Sequence, residues 1–125
     1  MKPEQQHAPL NILLADDDMD DRSFFEKALK EVSISNNLTT VNDGEQLMKY
    51  LSDNSEQLPN ILFLDLNMPR KNGFECLSEL KCSKKLKQIP IIIYSTSYHK
   101  KIADLSKLYI VLYVYLIQVK YIILK

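Results

Sequence analysis

Polar side chains that could bind a metal or a phosphoryl group follow three separate apolar runs of this sequence. They are Asp16 and Asp17 after the first run, Asp65 after a later run, and Ser95 with Thr96 after the last. Carboxylates held close together repel strongly unless a cation neutralises them. Oxygen ligands without His or Cys select a hard ion, Mg²⁺ or alternatively Mn²⁺. A carboxylate beside such an ion is a competent nucleophile toward a phosphoryl group, so the pattern indicates a metal-assisted phosphoryl acceptor.

The apolar runs are interpreted as buried strands, with helices in the segments between them. The strand candidates are Leu10–Ala15, Leu38–Val41, Ile61–Leu64 and Ile91–Tyr94. Helical spacing of apolar residues predicts helices around Phe24–Val32, Leu47–Leu51 and Phe74–Leu80. This alternation predicts βαβ units and therefore an α/β fold with a parallel sheet. If the first and third strands are neighbours, the three aspartates converge at the carboxyl edge of that sheet.

Several local assignments follow from the same patterns. Asp18 or Asp20 can cap the first helix, because a carboxylate accepts bonds from the unpaired N–H groups of a helix start. The asparagines at 36 and 37 are expected to lie before the second strand rather than in it. Phe24, Phe25 and Phe74 are predicted to be core residues.

The composition indicates one soluble globular domain. The chain has 125 residues, of which 46% are apolar and 26% charged, enough for a real hydrophobic core. Sixteen basic and sixteen acidic residues give zero net charge, which removes the phosphate attraction that non-specific nucleic-acid binders need. Cys76 and Cys82 are too few for a disulfide scaffold and too isolated for a zinc site. Residues 1–10 contain no apolar secretory signal, so a cytoplasmic protein is expected.

The C-terminal segment 109–125 differs from the rest of the chain. It consists mostly of Leu, Ile, Val and Tyr, a composition that favours a strand, yet it is longer than one strand needs. A membrane-spanning helix needs about 20 apolar residues, and Lys120 would lie inside this shorter segment, so membrane insertion is disfavoured. Truncation or a shifted reading frame near Leu108 would explain the change in composition.

The strand-end residues together resemble the receiver domain of two-component response regulators, a CheY-like family. The matching features are Asp16-Asp17, the stretch Leu64 to Pro69 with Gly73, and Pro90 before a strand that runs into Ser95. The resemblance covers residues 10–108. The acidic run 16–21 and the loop 67–73 resemble single-domain regulators that partner bacteriophytochrome-type histidine kinases. The resemblance to receiver domains implies a doubly wound, flavodoxin-like sheet of order 2-1-3-4-5.

The resemblance also implies a role for each matching residue. Asp65 would accept a phosphoryl group from a phosphohistidine of a sensor kinase or a phosphotransfer protein. Mg²⁺ would be bound by Asp17 directly, by Asp16 mainly through water, by Asp65, and by the backbone carbonyl of Asn67. Ser95 would be the switch hydroxyl that moves to bond the phosphate, and the side chains of Thr96 and Asn67 would flank the site.

The sequence departs from the family at its C-terminal end. The family has a lysine at the end of the fifth strand, usually followed by proline, and no Lys-Pro pair occurs after Ser95. Lys120 is the nearest lysine to that strand end, but it lies a few residues too far from Ser95. The sequence pattern predicts no amphipathic final helix of the kind the family has, and the predicted fifth strand is atypical. An uncovered apolar sheet surface would favour dimerisation.

Three functions fit these residues to different degrees. The first is a stand-alone phosphoacceptor switch that signals through a downstream protein and is not an enzyme with turnover. The second is a degenerate receiver that acts as a phosphorylation-independent interaction module, favoured by the absent Lys-Pro pair. The third is a metal-dependent phosphohydrolase, which is disfavoured because Asn67 stands where such enzymes carry an acid/base aspartate and cannot take a proton.

Overall fold

The described part of the chain forms a parallel sheet whose successive strands are connected by helices. A computed structural model describes residues 9–31 and 35–94. Its strands are β1 (Leu10–Ala15), β2 (Asn36–Val41), β3 (Ile61–Asp65) and β4 (Ile91–Tyr94). Its α-helices are α1 (Met19–Glu31), α2 (Gly44–Asp53) and α3 (Gly73–Cys82), and a 3-10 turn follows at Leu86–Gln88. No helix in these two ranges is both long and apolar enough to cross a membrane.

The strand order is β2-β1-β3-β4, with every neighbouring pair parallel. This order confirms the predicted α/β fold and agrees with the first four positions of the flavodoxin-like arrangement. Strand β1 pairs with both β2 and β3, so the chain changes direction across the sheet at the gap between β1 and β3. Ligands of open parallel sheets bind at this type of switch point. The predicted fifth strand and the segment 109–125 lie outside the described residues.

The sheet buries a hydrophobic core on each of its two faces. One core, on the side of α1, contains Leu10, Ile12, Leu14, Phe25, Ala28, Leu29, Ile61 and Phe63. The other, on the side of α2 and α3, contains Leu13, Ala15, Val41, Leu47, Leu51, Leu62, Leu64, Met68, Cys76, Leu80 and Ile89. Successive side chains of a strand point to opposite faces, so burial on both faces explains the continuous apolar runs of β1 and β3. Each fully buried Leu or Phe side chain stabilises the fold by about 1.5–3 kcal/mol relative to an exposed one. The apolar residues of β1 and β3 are therefore most stable when these strands lie at the centre of the sheet.

The predicted aromatic core is correct for Phe25 and wrong for Phe74. Phe25 is 1% exposed and packs edge to face on Phe63, with ring centroids 4.8 Å apart. Phe24 is half-buried. Phe74 is 61% exposed, because Cys76 is the residue that α3 presents to the sheet. Residues two positions apart in an α-helix point about 200° apart around its axis. Since Cys76 faces the core, Phe74 faces away from it.

Strand β2 begins two residues earlier than the sequence predicts. Asn36 and Asn37 lie opposite Leu10 and Asn11 in the parallel ladder. The Nδ2 of Asn37 donates to Oδ1 of Asn11 over 3.4 Å, and Asn60 Oδ1 accepts from the Asn11 N–H over 2.7 Å. Asparagine is a poor strand former on its own, and the neighbouring strand supplies the bonds that keep these residues extended.

Each helix that follows a strand begins at a side-chain cap. Asp18 caps α1, accepting from the N–H groups of Asp20 (2.8 Å) and Asp21 (3.1 Å). The structure therefore selects Asp18 rather than Asp20 as the cap. Asp43 caps α2, and Asn72 caps α3 through a reciprocal capping box with Glu75. Such caps stabilise a helix by about 1 kcal/mol each and fix where the preceding loop ends.

Candidate metal centre

Asp16, Asp17 and Asp65 meet at the carboxyl ends of the two central strands. Ala15 is paired with Leu64, so the residue after β1 and the last residue of β3 lie side by side. One carboxylate oxygen from each aspartate lies within 4.8 Å of the other two. Asp16 and Asp65 are buried, whereas Asp17 is exposed, so the cluster opens to solvent on the Asp17 side. The proximity that the sequence predicts for these three residues is present in the structure.

The two buried carboxylates are oriented by the loops that follow them. Oδ1 of Asp16 accepts from the N–H of Asp18 over 2.9 Å, and Oδ1 of Asp65 accepts from the N–H of Asn67 over 3.0 Å. Both are bonds to the residue two positions on, the geometry by which an aspartate turns the chain at the end of a strand. Each side chain is thus fixed by its own loop, while the backbone of its strand is fixed by the sheet.

Arg22 also contacts the loop after β1, a contact that the sequence did not reveal. Its guanidinium donates to the backbone carbonyl of Asp16 over 2.8 Å from one turn inside α1. The N–H of Asp16 donates to the carbonyl of Val41 over 3.1 Å. The backbone of Asp16 is therefore held by α1 on one side and by the end of β2 on the other. Sequence patterns do not predict this contact, because nothing local in the sequence reports a bond to a carbonyl six residues earlier.

The donor set fits a hard divalent cation. All three side chains offer carboxylate oxygen, the ligand type preferred by Mg²⁺ and Mn²⁺, and no His or Cys contributes to this cluster. One carboxylate oxygen from each of the three side chains lies within 4.8 Å of the other two, close enough for one cation to be shared directly or through bound water. The residues present are therefore consistent with divalent-metal binding.

The remaining predicted site residues have different outcomes. Asn67 is exposed and follows Asp65 on the same loop, where its N–H bonds the Asp65 carboxylate. Ser95, Thr96 and Lys120 lie outside the described residues, so their roles stay predictions. Asp65 is fully buried at the end of β3, so it is not an ordinary surface turn residue.

The family of the chain follows from comparison with known proteins. The response regulator receiver domain model matches residues 12–114. The chain belongs to this family. The receiver domain is 34% identical over 101 residues to response regulator Rcp1 of Synechocystis sp., a match that covers 78% of this chain and 69% of Rcp1. Its function therefore falls within phosphorylation-based two-component signalling.

Solved structures of phytochrome response regulators resemble the receiver domain in fold. The Mn²⁺-bound form of Rcp1 superposes with a TM-score of 0.67 at 33% identity, covering 81% of this chain and 76% of that one. Phosphorylated RcpA, a cyanobacterial phytochrome response regulator, gives a TM-score of 0.66 at 32% identity, with 82% and 76% covered. The bacteriophytochrome response regulator AtBRR gives 0.65 at 26% identity, with 82% and 78% covered. These similarities confirm the predicted resemblance to regulators of this type.

Proposed function

We propose that this receiver domain is a stoichiometric phosphoacceptor whose acceptor residue is Asp65. The observation that carries the proposal is the convergence of three carboxylate oxygens within 4.8 Å at the switch point of the sheet. Asp65 is the member of the cluster that lies on β3, is fully buried and has its orientation fixed by the Asn67 N–H. A nucleophile held in one orientation reacts faster because less freedom is lost on reaching the transition state.

The proposed step transfers a phosphoryl group from a histidine to Asp65. One oxygen of the Asp65 carboxylate forms a bond to phosphorus as the bond between phosphorus and the imidazole nitrogen of the donor breaks. The leaving nitrogen keeps the electron pair of that bond and takes up a proton. The product is an acyl phosphate on Asp65 and a neutral histidine on the donor. Each protein molecule accepts one phosphoryl group in this step. We therefore propose a stoichiometric acceptor and not an enzyme that turns over a separate substrate.

A divalent cation, Mg²⁺ in our proposal, would be held by Asp16, Asp17, Asp65 and the backbone carbonyl of Asn67. When bound, such a cation offsets the negative charge of the transferred oxygens. The Mn²⁺-bound form of Rcp1, a similar structure, supports a cation at this kind of site. Asp16 and Asp17 come from one loop and Asp65 from another, so the proposed cation would also tie the two loops together.

The proposed donor is a sensor histidine kinase or a phosphotransfer protein of the phytochrome type. The similarity to phytochrome and bacteriophytochrome response regulators supports this choice. Phosphorylation adds a charge of about −1.5 to −2 and three acceptor oxygens, enough to bias a two-state surface toward a downstream protein. In our proposal Ser95 is the hydroxyl that bonds the new phosphate, Thr96 flanks it, and signalling occurs in the cytoplasm.

Phosphorylation by acetyl phosphate tests the proposal without a cognate kinase. Wild type incubated with Mg²⁺ and acetyl phosphate is expected to gain one phosphoryl group by intact-mass measurement, and EDTA should abolish the gain. Asp65→Asn should remain unlabelled. Asp53→Asn, which removes an exposed carboxylate on α2, is the matched control and should label like wild type. A folded wild type that gains no phosphoryl group, or an Asp65→Asn protein that gains one equally, would refute the assignment.

The degenerate receiver remains a second candidate because no Lys-Pro pair follows Ser95. Such a protein would bind its partner equally well with and without phosphodonor. Affinity for a captured partner, measured before and after incubation with acetyl phosphate and Mg²⁺, separates the two functions. An affinity that changes with phosphorylation excludes the phosphorylation-independent module.

A further inference from the structure

The end of β2 and the turn that follows it contact both loops at the acidic cluster, although they contribute no residue to the cluster itself. We call residues 42–44 the β2–α2 turn, residues 16–18 the β1–α1 loop and residues 66–72 the β3–α3 loop. The carbonyl of Val41, just before the turn, accepts from the Asp16 N–H over 3.1 Å. Asp43, in the turn, lies against Arg70, with 3.4 Å between Oδ2 and Nε.

Asp43 joins two elements through the two oxygens of one carboxylate. Oδ1 caps α2 by accepting from the Gln46 N–H over 2.8 Å, and Oδ2 faces the guanidinium of Arg70. The side chain of Asp43 is 11% exposed and that of Arg70 is 65% exposed. Asp43 is therefore fixed by its hydrogen bond to α2, and its ion pair with Arg70 connects α2 to the β3–α3 loop.

Arg70 has a backbone conformation that is uncommon for a residue with a Cβ. Its φ is 65°, in the left-handed region that residues with a Cβ rarely occupy. Such conformations persist where the surroundings over-determine them, and they cluster at functional sites. Asp43 supplies an ion-pair contact to this residue from outside the loop. Arg70 lies five residues after Asp65 and three after Asn67, on the loop that follows Asp65 and contains Asn67.

A second contact presses the same loop against the same turn. A Cβ placed on Gly44 would lie 2.0 Å from the carbonyl oxygen of Lys71, so the backbone of the loop passes directly over the glycine. The Sγ of Cys76 lies 3.7 Å from the Gly44 carbonyl oxygen, which ties α3 to the turn as well. Lys71 is also paired through its Nζ with Glu79 of α3.

We propose that Asp43 and Arg70 are positioning residues that set the separation between the β1–α1 and β3–α3 loops, and hence the cation affinity of the acidic cluster. The inference rests on the proposed function, because it concerns the same metal site. The end of β2 and the β2–α2 turn together act as a spacer: Val41 holds Asp16 by a backbone bond on one side, and Asp43 holds the β3–α3 loop by an ion pair on the other.

A positioning role for Arg70 and a purely electrostatic role predict opposite changes in cation affinity when Arg70 is replaced by glutamine. Arg70→Gln removes a positive charge from the neighbourhood of an acidic site, so a purely Coulombic effect would strengthen cation binding. Loss of positioning weakens it instead, because the β3–α3 loop can move away from the geometry that a cation needs. Asp43→Asn keeps the helix cap, since asparagine caps as well as aspartate, while it removes the charge that Arg70 faces.

Cation binding is measured directly, without phosphodonor, by titrating Mn²⁺ and following the free-ion signal in electron paramagnetic resonance. Arg70→Gln and Asp43→Asn are each expected to weaken Mn²⁺ binding about two- to fivefold, the range that an exposed ion pair can supply. The double variant should be no weaker than the worse single variant, because one interaction has been removed twice. Arg70→Lys, which keeps the charge, should restore most of the affinity.

Controls of matched charge use the exposed Lys49–Asp53 pair on the outer face of α2, with 2.8 Å between Nζ and Oδ2. Lys49→Gln and Asp53→Asn should bind Mn²⁺ like wild type. An Arg70→Gln protein that binds Mn²⁺ as tightly as wild type or more tightly would overturn the inference alone. A wild type that binds no Mn²⁺ would overturn the proposed function, and the inference with it.

Discussion

Replacement of Gly44 by alanine should destabilise the protein, although helix propensity alone predicts the opposite. Gly44 is the first residue of α2, and alanine is favoured over glycine in helices by up to about 1 kcal/mol. The structure opposes this gain, because the added Cβ would meet the Lys71 carbonyl oxygen at 2.0 Å and the Lys71 carbonyl carbon at 2.7 Å. Both obstacles are backbone atoms, which cannot move aside by a change of rotamer.

The magnitude follows from how far the loop must move. An ordinary contact between carbon and oxygen is about 3.2 Å or longer, so the Lys71 carbonyl would have to shift by roughly 1 Å. Forcing an extra methyl group into a filled space costs typically about 1–3 kcal/mol. After the gain in helix propensity, we expect a net loss of about 1–2 kcal/mol in the free energy of unfolding. The displaced loop carries Asn67, so Mn²⁺ binding should weaken as well.

Urea denaturation followed by circular dichroism measures the change in the free energy of unfolding. Ser52→Ala is the matched control, because it adds helix propensity at an exposed position of the same helix and should stabilise α2 by a few tenths of a kcal/mol. A Gly44→Ala protein that is as stable as wild type and binds Mn²⁺ equally would show that the β3–α3 loop does not press on the β2–α2 turn.

Further predictions concern the core, a cap and a thiol. Phe63→Ala should lower the free energy of unfolding by about 3–5 kcal/mol, because it removes a 1% exposed ring packed on Phe25; urea denaturation checks this. Asn72→Ala should lower it by about 1 kcal/mol through loss of the capping box, with the helical circular dichroism signal unchanged before unfolding. Burial raises the pKa of the Cys76 thiol from 9.0 to about 11, so the folded protein keeps a proton that the unfolded chain releases. The stability from this difference is complete below pH 9 and lost as the pH rises to 11. Across that window the free energy of unfolding of the wild type, relative to that of Cys76→Ala, should fall by up to about 3 kcal/mol. With Ellman's reagent at pH 8, exposed Cys82 should react quickly and Cys76 only on unfolding.

The sequence by itself determined the elements that local patterns encode. Continuous apolar runs mark the strands, so β1 and β4 have the predicted bounds, and β3 differs only by including Asp65. A carboxylate that follows such a run is expected where the strand ends, because an unpaired charge is not tolerated within the apolar core. The acidic cluster followed from these two facts together with a parallel strand order.

The tertiary structure decided what depends on contacts between distant segments. The burial of Cys76 instead of Phe74 reflects which side of α3 packs on the sheet, and the early start of β2 reflects the pairing of Asn36 and Asn37 with Leu10 and Asn11 of β1. The contact of Asp43 with Arg70 joins residues of two different loops. Neither residue carries a local signal of the other, because the strand order alone brings their loops together.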